Sequence, residues 1–195
     1  MTISSISRLP VLIALSPILC FGQGDATNLS APDPDRETLL SLPWKQFDQT
    51  PNSGWRVYLN PPRKEYLKAA KLIEDYLDRH DDLSARQRAL CHYHAAHQYV
   101  YRAVRGGQGD VREAFPHLDK AIVSGKDSAP GADWNDMVIA TKAFLMGDRD
   151  ALQRARDRVA ALPSASVKWP GYADDLLKNL GKPYGSWFPT ETSKK

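Results

Sequence analysis

Cysteine is scarce: two occur in 195 residues, and one of them, Cys20, lies inside an apolar leader. The remaining chain then holds one thiol, Cys91, and cannot close an internal disulfide, so any fold must rest on its core. Alternating apolar and polar runs are also missing, and the β-branched residues are scattered, which excludes a sheet-based core. Long hydrophobic runs are missing as well. The longest, Leu9 to Phe21, is interrupted by Pro10 and Pro17 and falls short of the roughly 20 residues that cross a bilayer. Finally, there is little excess charge, with 26 basic against 23 acidic residues. The two signs alternate along the chain as on solvated helix faces, without the basic stripe of a nucleic-acid binder. These absences leave an all-α chain with no transmembrane segment and no nucleic-acid partner.

Residues 1–24, MTISSISRLPVLIALSPILCFGQG, have one basic residue (Arg8), an apolar stretch and then small residues, the pattern of a secretory signal. Cleavage after Gly22 or Gly24 fits the small-residue requirement and implies a periplasmic or secreted protein. Leu19 is large where lipid attachment at Cys20 needs a small neighbour, which argues against an anchor. Loss of Arg8 leaves 25 basic against 23 acidic residues. Residues 25–36, DATNLSAPDPDR, read as a disordered lead-in. A helical domain is expected over 37–181, and 182–195 as a C-terminal arm whose Tyr184, Trp187 and Phe188 cover a helix end.

Within the domain the spacing predicts a short helix over about 37–48 and a Pro-Asn-Ser-Gly turn at 51–54, with Trp44, Phe47 and Trp55 as packing anchors. Asn60 and Pro61 suit the start of an amphipathic helix running to about Arg79. Ser84 with Gln87 forms a capping box for a helix over 85–104. Asp110 with Glu113 repeats that logic, and Pro116 must kink the next helix or delay its start to Phe115. A further helix follows Asp133 and ends at Gly147. Another runs from Asp148 to Pro163, and a last one spans about 171–180.

Two segments share a grammar. In ALCHYHAAHQYVYRAVRGGQGDVREAFPHLDKAI (89–122) and WNDMVIATKAFLMGDRDALQRARDRVAAL (134–162), a helix with small central residues meets a Gly-Asp turn and then a helix with an early alanine. This resembles the tetratricopeptide repeat, whose period is about 34 residues. PWKQFDQTPNSGW, the YHAAH helix and WNDMVIATKAFL also resemble a family of exported bacterial helical proteins. The resemblance implies antiparallel hairpins stacked as a short tetratricopeptide-like solenoid of about six to seven helices, and it brings no activity or catalytic residues.

The heptapeptide CHYHAAH (91–97) is the densest chemistry in the chain. At about 100° per residue, His94 and His97 are close enough to share a metal ion, while Cys91 and His92 point elsewhere. Two ligands fall short of the three or four that zinc needs, and His80 and His117 lie on other elements. No metal and no cofactor are therefore expected. His97 reads as a core histidine, His94 as a groove or interface residue and Cys91 as a small filler. A metal-binding protein or enzyme using His94 and His97 is the alternative. Ser53 and Ser186 lack a G-x-S-x-G setting, and GGQGD lacks the lysine and hydroxyl of a phosphate loop. Glu74 and Asp75 sit on a lysine-rich helix face. Asp48 and Thr50, between Trp44 and Trp55, are the one polar pair flanked by aromatics. No catalytic residue is assigned. The expected function is a non-enzymatic module that binds a protein or peptide in a helical groove, with Gln98, Arg102, Asn135 and Lys142 off the buried stripes and Ile139 exposed beside them. A homodimer burying Ile139 and the terminal aromatics is a further reading.

Overall fold

Asp35 opens the first helix by accepting the Glu37 amide at 3.3 Å. The computed structural model describes residues 32–61, 63–125 and 130–187; the expectations for 1–24, for most of the lead-in and for Phe188 lie outside them. Helix α1 (Arg36–Leu40) is short. The single helix expected over 37–48 is broken, because Pro43 has no N–H to continue it and disfavours helical geometry at Leu42. The chain instead winds into a π-helical turn, Lys45–Gln49, whose Gln46 and Phe47 amides both donate to the Pro43 carbonyl. A 3-10 turn, Gly54–Tyr58, follows. Gly54 is the residue that permits this doubling back. Its φ is +53°, and a Cβ there would sit 1.9 Å from the Phe47 carbonyl oxygen.

Helix α2 (Tyr66–Arg79) starts five residues later than Pro61. Consecutive prolines bias the preceding residues away from helix, and Lys64 takes a left-handed φ of 51° just before the helix begins. From there Ala69, Ala70, Ile73, Tyr76 and Leu77 form the buried stripe expected from their spacing, joined by Leu72, while Tyr66 is only half-buried.

Helix α3 (Ala85–Val104) carries the predicted capping box: the Ser84 hydroxyl accepts the Gln87 amide, and the Gln87 side chain accepts the Ser84 amide at 2.8 Å. Two of its faces are buried. Cys91 and Ala95 join an apolar cluster with Leu40, Phe47, Trp55, Leu72, Ile73 and Tyr76. Ala89, Tyr93, Ala96, Tyr99 and Val100 join a second cluster with Leu118, Trp134, Val138, Phe144, Leu152 and Leu176. Small residues at 89, 91, 95 and 96 let neighbours approach the helix closely on both sides.

Asp110 and Glu113 cap a 3-10 turn, Val111–Ala114, and α4 (Phe115–Ala121) begins where Pro116 falls in its first turn. Then come α5 (Trp134–Met146), closed by Gly147 at φ 72°, and α6 (Arg149–Ala160), capped by Asp148. The last helix, α7 (Tyr172–Lys178), is shorter than expected. All regular structure among the described residues is helical, and no helix there is long and apolar enough to cross a membrane. Helix α2 packs on α3, α3 on α4, α5 on α6, and α7 on both α5 and α6. The arm returns to the core, with Tyr184 2 % exposed and its ring, like that of Trp187, edge-on to Phe144.

Gly54→Ala combines a disfavoured φ with a backbone clash that no side-chain rotation relieves. It is expected to cost at least ~2 kcal/mol, read as a lowered urea midpoint.

Candidate functional site

Asp48 is a carboxylate with 0 % exposure, and it would be prohibitive to ionise there without partners. The π-helical turn aims it inward, and the 3-10 turn and α3 supply donors. Trp55 Nε1 donates to Oδ1 at 3.1 Å, Gln49 Nε2 donates to Oδ2, and His94 Nδ1 lies 2.7 Å from Oδ1. Burial alone would raise the Asp48 carboxyl. The His94 charge and the hydrogen bonds from His94, Gln49 and Trp55 outweigh that and hold it below its ordinary value. Since an ionised carboxylate only accepts, Nδ1 of His94 carries the proton it donates to Asp48. Arg56 donates to the Asp48 carbonyl and stacks over the Trp55 ring, 4.0 Å from its centroid. Behind them Cys91 is sealed, and burial pushes its thiol well up, so it is an inert filler.

Trp55 and Arg56, so fixed, form one wall of a cavity of about 460 Å³ whose other lining includes Lys64, Tyr66, Tyr101 and Arg105. This lies in the size range of ligand pockets. The Tyr66 and Tyr101 rings are 6.0 Å apart, and Arg105 lies over Tyr101 at 4.2 Å. A second cavity of about 190 Å³ shares Lys64 and Tyr66 and is lined also by Arg102 and Gln108, so the two adjoin. Asn52 and Lys64 are the non-glycine residues with positive φ among those described, and both line the larger cavity. Left-handed backbone at a lysine costs on the order of 1 kcal/mol and collects at binding sites.

Compared with known proteins, the chain matches no family model, no curated protein and no solved structure.

The residues expected to face a partner are dispersed. Gln98 is a correction: it is 3 % exposed, because α3 is packed on two faces and position 98 shares the face of Cys91 and Ala95. Asn135 is engaged through both ends of its amide with the Val123 backbone, at 3.1 and 2.8 Å. Arg102 pairs with Glu113 at 2.9 Å and reaches the smaller cavity. Lys142 pairs with Asp119, and Ile139, expected exposed, is half-buried. These last two share a shallow apolar depression with Ile122 and Met146. His94 and His97 do not converge: His94 faces Asp48, while His97 Nε2 meets the Tyr184 hydroxyl at 3.0 Å. No group of three or more potential metal ligands occurs among the described residues.

Two polar networks on α3 were not foreseen. His92 Nδ1 lies 3.2 Å from His117 Nδ1, whose Nε2 is 3.0 Å from Glu74; Tyr99 and Lys71 also donate to that carboxylate, at 2.5 and 2.7 Å. Burial would raise Glu74, but these donors bring it down to about 2. Elsewhere the hydroxyls of Tyr93, Thr141, Tyr172 and Tyr184 form a chain ending at His97. Nothing local announces either network, since each joins residues on separate helices.

Asp48→Ala leaves an indole and an imidazole N–H without their acceptor, and is expected to cost about 2–4 kcal/mol in denaturant unfolding. Burial lowers His92 to about 4, helped by the His117 charge, and lowers His97 to about 3, helped by His94. The unfolded chain takes up these protons near pH 6.5 and the folded chain only near pH 4 and 3. Stability is therefore full above pH 6.5 and falls as the pH drops through that window, by up to ~1.4 kcal/mol per pH unit for each ring. His92→Gln should flatten the slope between pH 6 and 4 in a series of urea titrations.

Proposed function

We propose that the chain is a non-catalytic interaction module, exported through its N-terminal leader, that binds a protein or peptide segment in the groove between the Gly54–Tyr58 turn and the C-terminal end of α3. The repeat grammar around Gly109-Asp110 and Gly147-Asp148 supports a tetratricopeptide-like arrangement of its hairpins. One observation carries the binding reading. Two contiguous cavities share Lys64 and Tyr66, have tyrosine and tryptophan rings in their walls, and are bordered by both left-handed non-glycine residues. Adjoining cavities walled by aromatic rings suit an extended chain better than a compact metabolite, because rings supply large contact area at low entropic cost and a strand needs length.

Panning the full chain against a random peptide library tests this. Recovered peptides should shift the backbone amide resonances of Trp55, Tyr66, Tyr101 and Arg105, and Tyr101→Ala should weaken them at least tenfold, about 1.4 kcal/mol. Peptides whose shifts map elsewhere, or none recovered, would overturn the reading.

A further inference from the structure

The charge around this groove is one-sided. Arg56, Lys64 and Arg105 line the larger cavity, and among the described residues none of the three forms an ion pair, although the Asp48 carboxylate acts on Arg56 electrostatically. Their neighbours of opposite sign are spent. Glu65 is held by Arg63 at 3.2 Å and Lys68 at 2.9 Å, Glu113 by Arg102, and Asp48 is sealed from water and satisfied by its own donors. Elsewhere several cations are matched: Arg79 with Glu37, Lys142 with Asp119, Arg156 with Asp174 and Arg158 with Asp136. In a chain of nearly balanced composition, three such cations gather at one cavity.

The guanidiniums are also oriented. The Arg56 guanidinium lies over the Trp55 ring and that of Arg105 over the Tyr101 ring, which restrains each planar fork. Such a fork pairs bidentately with a carboxylate. The Asp48 carbonyl takes one donor of Arg56 and fixes its position further. Lys64, which lines both cavities, adds a point charge.

Building on the interaction reading above, we infer that the groove's occupant is an acidic extended peptide segment whose carboxylates pair with Arg56, Lys64 and Arg105 while its apolar or aromatic side chains lie between Trp55, Tyr66 and Tyr101. The two joined cavities favour a chain with several carboxylates over a single small anion.

The probe is a fluorescein-labelled nonapeptide of alternating glutamate and tyrosine. Two counterparts carry glutamine or lysine in place of glutamate, and all are titrated into the full chain by anisotropy. The glutamate peptide is expected to saturate, the glutamine peptide to bind at least tenfold more weakly, and the lysine peptide not to saturate. Raising salt from 50 to 300 mM should weaken the glutamate peptide severalfold. Arg105→Gln and Lys64→Gln, both on exposed side chains, should each weaken it about five- to tenfold, whereas Lys178→Gln, an equal charge change on α7, should leave it unaltered. Equal weakening by Lys178→Gln would make the effect one of net charge and overturn the inference. Displacement by millimolar phosphate or free glutamate would also overturn it, in favour of a small-anion pocket. Glutamine or lysine peptides binding as tightly at the same amides would sink the charge inference while leaving the interaction reading intact. If no peptide binds at the groove, both fall.

Discussion

A fully enclosed carboxylate is tolerable only where donors surround it, and the arrangement around Asp48 depends on that requirement. The residues that satisfy it come from three places: Gln49 from its own turn, Trp55 from the turn that follows, and His94 from the middle of α3. Meeting the electrostatic demand therefore fixes how the irregular N-terminal segment lies on the long helix. It also fixes the outward side of Trp55, together with the Arg56 stacked on it. The groove is thus a by-product of burying one charge. Its rigidity comes from interactions beneath it, which a ligand would find already made.

What was legible in the sequence was whatever short-range chemistry decides. The start of α3 follows from Ser84 and Gln87, the start of α4 from Pro116, and the end of α5 from Gly147, because each rests on hydrogen bonds or backbone preferences within a few residues. Where Pro43 interrupts the first helix, the same short-range chemistry prevails over the apolar spacing. Asp48 was noticed for its aromatic flanks, but its partner is 46 residues away, and periodicity holds no information about which histidine reaches which turn. The burial of Gln98 is not legible from periodicity, because α3 packs on two faces at once. The unmatched cations of the groove were invisible for the same reason: whether a lysine has a partner depends on the other elements nearby.

The histidines illustrate how strongly surroundings decide chemistry. His92, His94 and His97 share one helix within six positions, yet one leans on a second imidazole, one on a carboxylate and one on a tyrosine hydroxyl. Burial keeps His92 and His97 neutral over most of the accessible pH range, so they serve as hydrogen-bonding spacers that join α3 to α4 and to the C-terminal arm. A dense cluster in the sequence becomes three separate anchors in space.

Because α3 belongs to both apolar clusters, each half of the protein buries a different face of it. Stripping the N-terminal turns would bare Cys91 and Ala95, and loosening α5 and α7 would bare Tyr93 and Val100 on the opposite side. Such a shared spine couples distant segments. Changes at its small residues are consequently felt across the whole molecule, and divergence is easier at the rim than along the axis.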